Sequence, residues 1–133
     1  MIGVVVAAHG NLAQELVQTT NFIVGDQKDL VALTIDPSRS VDEMKNDIKA
    51  AIKQVDQGEG VLILTDMFGG TPANMSLSFL EDGKVEVITG VNLPMLIRLS
   101  QCRDNGMSFS ETAQSIVEYA RKSINQATQI LKK

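Results

Sequence analysis

The sequence predicts a small doubly wound α/β fold, a mostly parallel sheet with helices on both faces, and three observations carry that prediction. Four short apolar runs recur along the chain, segments of helical period lie between them, and 133 residues at 44% hydrophobic suit one core. Alternation of this kind implies right-handed crossovers and parallel neighbours. No Pro/Ser-rich linker, low-complexity tract or internal repeat interrupts the chain, so residues 1–133 are expected to form a single unit.

The apolar runs are residues 2–8, 30–35, 61–64 and 85–88, the first and third nearly unbroken and rich in Val and Ile. They read as strands buried on both faces. The first helical pattern carries Leu12, Leu16 and Ile23, and the second Val41, Met44, Ile48, Ile52 and Val55, opened by a capping box of Ser40 with Glu43. A third helix is expected to start at Thr71 and Pro72, with Thr71 as N-cap, to place Met75, Phe79 and Leu80 on its apolar side, and to end by Gly83. Residues 94–102 form a fourth, with Met95, Leu96 and Leu99. Ser108 and Glu111 open a long C-terminal pattern of Ala113, Ile116, Val117, Ala120, Ile124, Ala127 and Leu131, which predicts helix throughout.

Composition removes several function classes. Twelve Lys and Arg against 16 Asp and Glu, with 4% aromatics and no Trp, argue against nucleic acid as a partner. A single cysteine, Cys102, excludes an intramolecular disulfide. With one histidine, His9, it cannot form a Cys/His zinc site, so neither a metal nor a cofactor is expected. The apolar N-terminus lacks a basic region and is too short for a signal peptide or membrane span, so a cytoplasmic protein is expected.

In doubly wound sheets ligands bind beyond the carboxyl ends of the strands, at the point where strand order reverses. The residues there are His9, Gly10 and Asn11; then residues 36–39; then 66–72; then 90–94. No P-loop lysine, G-x-G-x-x-G or G-x-S-x-G pattern is present. What remains is a histidine and an aspartate, His9 and Asp66, each ending an apolar run beside glycine-rich backbone. If those strands are neighbours the two side chains can meet. A carboxylate bonded to Nδ1–H would fix the tautomer and leave Nε2 as a nucleophile. Main-chain N–H groups around Gly10 and Asn11, and around Gly69, Gly70 and Thr71, would then hold the oxygens of a phosphoryl group.

His9-Gly10 after the first strand, the block from Leu64 through Asp66, Met67, Phe68, Gly69, Gly70, Thr71 and Pro72 to Asn74, and the block from Gly90 through Asn92, Leu93 and Pro94 to Leu96 together resemble the IIA component of the mannose/fructose/sorbose family of the bacterial sugar phosphotransferase system. The resemblance runs along about the whole chain. It implies strand order 2-1-3-4, which sets the first and third strands side by side, and a homodimer that can exchange a C-terminal edge strand. It also implies that Nε2 of His9 takes a phosphoryl group from phospho-HPr, with Asp66 orienting the ring, and passes it to a IIB partner. IIB is expected as a separate polypeptide. The IIC/IID membrane complex would be reached only indirectly, bringing the protein to the inner face of the membrane through the permease.

Other residues divide between plainer and functional roles. Met67 and Phe68 fit either core packing or a partner-docking patch, and Leu93 with Pro94 fit the wall of a docking cleft. Cys102 reads as inert packing and Arg39 as a solvated surface charge. Two alternatives stand beside sugar transport. One is a regulatory module whose phosphorylation controls protein binding, and the other a flavodoxin-like domain that merely holds a small anion.

Overall fold

The structure, a computed structural model, describes residues 1–132. Its elements alternate as β1 (Gly3–Ala8), α1 (Leu12–Val24), β2 (Leu30–Thr34), α2 (Val41–Val55), β3 (Val61–Thr65), α3 (Thr71–Leu77), β4 (Val85–Thr89) and α4 (Leu93–Asp104), followed by α5 (Phe109–Lys122) and α6 (Ala127–Leu131). The sheet is parallel throughout, in the order β2-β1-β3-β4. Ala7 of β1 pairs with Thr65 of β3, which brings His9 and Asp66 to adjacent strand ends.

The alternation of β1 supplies both halves of the core. Val4, Val6 and Ala8 pack with Leu16 and Val17 of α1, Leu96 and Leu99 of α4, and Ile116 of α5. Ala7, one residue out of phase, faces Met44 and Ile48 of α2 on the other side. Every residue of β1 and β3 is buried. Strands β2 and β4 lie at the sheet edges and are largely half-exposed, unlike the two-sided burial expected of all four runs. Among the described residues no further strand lies beyond β4.

Capping decides where several helices begin. Ser40 Oγ accepts from the Glu43 N–H at 3.1 Å while Glu43 Oε1 accepts from the Ser40 N–H at 3.0 Å, so the box at α2 is complete. Asn92 caps α4 through the Met95 N–H at 2.9 Å, and Ser108 caps α5 through the Glu111 N–H at 3.2 Å. Near the end of α4 the buried Arg103 guanidinium donates to the carbonyls of Ile2, Lys28 and Asp29, which ties that helix to the amino ends of β1 and β2.

Two helices differ from expectation. The N-cap of α3 is Gly70, not Thr71, and the helix stops at Leu77, leaving Phe79 and Leu80 outside it. Ser76 Oγ and Ser78 Oγ donate back to the carbonyls of Pro72 and Met75, and three-residue turns from Phe79 and Leu80 close the segment. Serine hydroxyls compete with the helical ladder in this way. The C-terminal pattern is likewise not one helix. Ser123 Oγ donates to the Tyr119 carbonyl and Asn125 Nδ2 to that of Lys122, ending α5. Ile124 and Leu131 beyond the break are exposed, so no core holds the apolar pattern in one continuous helix.

Two substitutions separate the contributions of packing and capping. Ile48→Ala, at a fully buried site, should cost about 2–5 kcal/mol, and Ser40→Ala about 1 kcal/mol. Urea unfolding should read both as shifts of midpoint at constant slope. Equal losses in the two variants would contradict this division.

Candidate functional site

The first and third strands end in polar residues because their apolar runs end there. His9 follows Ala8, the last residue of β1, and Asp66 follows Thr65, the last of β3. His9 Nδ1 lies 2.6 Å from Asp66 Oδ2, and the His9 main-chain N–H donates to that same oxygen at 3.0 Å. The other carboxylate oxygen, Oδ1, accepts from the Met67 N–H at 2.9 Å. The aspartate side chain is 11% exposed and the histidine 48%, so the carboxylate is sheltered while the ring faces solvent.

These contacts settle both groups. Burial pulls the Asp66 carboxyl upward, but the hydrogen bonds from the His9 N–H and the His9 ring, the ring's charge and the Met67 N–H outweigh it, and the acid titrates below the usual aspartate range. An ionised carboxylate only accepts hydrogen bonds, so Nδ1 carries the proton. In the neutral ring, Nε2 then holds the free lone pair.

Gly70 lies against the ring. A Cβ there would stand 3.0 Å from His9 Cε1, 3.3 Å from Met67 Cγ and 3.7 Å from His9 Nε2, so only glycine leaves the imidazole undisturbed. On the other side Gly10 turns the chain with φ +56°, a region costly for side-chain-bearing residues. Its carbonyl accepts from Thr34 Oγ1 at 3.0 Å, and Gln14 Nε2 donates to Thr34 Oγ1 at 2.5 Å. Neither Thr34 nor Gln14 stands out in the sequence. The available signal is a polar residue closing the second apolar run, one position before the point at which a reading by apolar content ends it.

Asn11 is the N-cap of α1 without a side-chain cap, and Thr71 is the first residue of α3. Among the described residues the N–H groups of Gly10, Asn11, Gly70 and Thr71 donate to no protein acceptor. Gly69, with φ +82°, is exposed, and its carbonyl faces Asn74 Nδ2 at 3.4 Å. Met67 and Phe68 are 56% and 77% exposed and therefore not core. Leu93 and Pro94 are half-buried at the start of α4, at the same end of the sheet. Arg39 lies at the surface, paired with Asp47 at 2.9 Å, and Cys102 is buried in the core. Two grooves of about 520 and 450 Å³ run along β4 and α5, and neither is lined by His9 or Asp66.

The structure is thus an α/β domain whose doubly wound sheet presents, at its switch point, one solvent-facing imidazole oriented by a carboxylate. Residues 3–117 match the family model described as PTS system fructose IIA component, and the chain belongs to that family. It is 32% identical over 124 residues to the mannose-specific EIIAB component of the phosphotransferase system of Escherichia coli, matching 92% of this chain and 38% of that protein. The chain thus spans well under half the length of this relative. The fructose-specific EIIA component of Bacillus subtilis is 31% identical over 106 residues, 79% of this chain and 73% of its own. Among solved structures, the PTS IIA protein associated with the fucose utilization operon of Streptococcus pneumoniae superposes with a TM-score of 0.84 at 31% identity, over 98% of this chain and 96% of that one.

The depressed Asp66 acidity fixes the sign of a pH effect. A carboxyl whose folded pKa lies below its unfolded value of about 3.9 adds stability above that value and loses it as pH falls through the folded pKa. The stability advantage of wild type over Asp66→Asn should therefore shrink as pH falls below about 5. Nitrogen NMR of neutral His9 should show the Nδ1–H tautomer, with Asp66→Ala relaxing it toward a mixture. A pH-independent difference, or an unchanged tautomer, would be inconsistent with this site.

Proposed function

We propose that the chain is a phosphocarrier of the sugar phosphotransferase system that cycles between His9 and phospho-His9. The single observation that carries this reading is the 2.6 Å contact between His9 Nδ1 and Asp66 Oδ2, which leaves Nε2 exposed with its lone pair free. Phospho-HPr is the donor and a IIB protein or domain the acceptor, and the IIC/IID complex is served only indirectly. Membership of the IIA family supports these assignments.

The Nε2 lone pair attacks phosphorus while the bond from phosphorus to the donor atom breaks, and the electron pair of that bond stays on the donor. No proton leaves the ring. Nδ1–H remains bonded to Asp66, and the positive charge that grows on the imidazole as the N–P bond forms faces the carboxylate. The three phosphoryl oxygens meet the N–H groups of Gly10 and Asn11 on one side and of Gly70 and Thr71, following Gly69, on the other. The dipole of α1 adds to the first set. Transfer to the acceptor is the same step reversed.

Met67 and Phe68, with Leu93 and Pro94 at the same end of the sheet, form the docking surface for both partners. Exposed apolar residues beside a reactive atom are suited to excluding water during transfer. The protein works in the cytoplasm as one IIA unit, 1–133, in a homodimer. No helix among the described residues is long and apolar enough to cross a membrane.

Incubation with phosphoenolpyruvate, enzyme I and HPr should place an acid-labile label on the chain, absent from His9→Ala. Label retained by that variant would overturn the assignment. Asp66→Ala should slow transfer at least about tenfold, a rise of about 1.4 kcal/mol in the barrier. Phe68→Ala should instead raise the KM for phospho-HPr with little change in the rate at saturation. A lowered saturating rate at constant KM would remove Phe68 from docking.

A further inference from the structure

The turn that carries His9 is held from two sides, and Asp66 accounts for only one of them. On the β2 side the Thr34 hydroxyl donates to the Gly10 carbonyl at 3.0 Å, and the Gln14 side-chain amide donates to the same hydroxyl at 2.5 Å. A hydroxyl has one proton to give. With Gln14 filling an acceptor position on Oγ1, the Thr34 proton is committed to Gly10. The Gly10–Asn11 peptide is planar and trans, so its C=O and N–H point in opposite directions. In a sheet ordered β2-β1-β3-β4, a carbonyl aimed at Thr34 turns the Asn11 N–H away from β2, toward the side that holds β3, Asp66 and Gly70. Glycine at position 10 does not fix this peptide by itself, because its backbone tolerates many orientations. The Leu12 N–H closes the turn on the His9 carbonyl at 3.3 Å, and the Thr34 hydroxyl adds a bond to the Gly10–Asn11 peptide itself.

We propose that Thr34, braced by Gln14, is a positioning residue for phosphoryl transfer, its hydroxyl locking the Gly10–Asn11 peptide so that the Asn11 N–H faces the phosphoryl group on His9 Nε2. The proposal rests on the phosphocarrier reading. Thr34 and Gln14 touch neither phosphorus nor the imidazole and move no proton. Their effect is through one peptide dipole. Turned the other way, that peptide would present the Gly10 carbonyl to an anion, replacing a donor with a repelling acceptor.

The test is single-turnover transfer from labelled phospho-HPr to wild type, Thr34→Val, Thr34→Ser and Gln14→Leu. Thr34→Val keeps the shape and removes the hydroxyl. It should slow transfer at saturating donor by about tenfold with the half-saturating donor concentration unchanged, because the lost contact stabilises the transferring group and not the docked pair. Thr34→Ser should restore the rate to within about twofold, and Gln14→Leu should fall between the two. In wild type the Asn11 amide proton should shift strongly on phosphorylation, and in Thr34→Val the shift should be reduced. A wild-type transfer rate in Thr34→Val with an unchanged Asn11 shift would overturn the positioning role, as would a defect seen only in the half-saturating concentration. Should Thr34→Val fail to fold, Gln14→Leu with the same Asn11 readout decides the matter. A wild-type protein that takes no label overturns the phosphocarrier reading itself, an outcome distinct from a labelled wild type beside an equally fast variant.

Discussion

One carboxylate oxygen, Asp66 Oδ2, accepts from both the main-chain N–H and the ring of His9, and the rest of the site depends on that double contact. The main-chain bond fixes where the strand end sits. The ring bond fixes which nitrogen is protonated. Neither is available unless β1 and β3 are neighbours in register, so the protonation pattern of the ring depends on a pairing of residues 57 positions apart in sequence. Burial of all residues in those two strands makes the register costly to slip, since a shift by one would move every side chain to the opposite face and mismatch the packing against the helices on both sides. The hydrophobic core thereby sets the tautomer of a surface histidine.

Much of this was legible residue by residue. The apolar runs around residues 2–8 and 61–64 identify the central strands, and the first titratable residues beyond them, His9 and Asp66, lie at the switch point. Ser40 with Glu43 announces the start of α2 because a capping box is a local interaction. The adjacency of His9 and Asp66 was not local. Periodicity leaves the strand order open, and the resemblance supplied it. Thr34 was missed for the same reason, since its partners Gly10 and Gln14 lie 24 and 20 residues away. The misread helices have the opposite cause. In α3 and at the end of α5, short-range serine and asparagine bonds to nearby carbonyls overrode the apolar pattern, which beyond α5 also had little core to pack on.

The two glycines beside the histidine are required for different physical reasons. Gly10 is needed for its backbone, which turns through φ +56° between strand and helix. Gly70 has an ordinary conformation, φ −80°, and is needed for its missing Cβ, which would press on His9 Cε1. A residue with a side chain at position 70 would crowd the edge of the ring that bears Nε2, and one at position 10 would strain the turn that carries the ring. Their combined effect is a turn that brings the ring to the strand end and an uncrowded Cε1–Nε2 edge.

A carrier places opposing demands on such a site. The nitrogen has to be reached by two different proteins, so it cannot sit in a closed pocket, yet an exposed imidazole in water has no fixed tautomer and no dry surroundings. The structure divides these demands between the two members of the pair. Asp66, 11% exposed, is the sheltered half, and its orienting hydrogen bonds are in place with no partner docked. His9, 48% exposed, is the half that faces solvent. On the proposed carrier reading, the exposed side chains of Met67 and Phe68 would complete a dry surface at Nε2 once a second protein covered them. Preorganisation would then be internal and desolvation supplied by the partner, which would tie the reactivity of the nitrogen to docking.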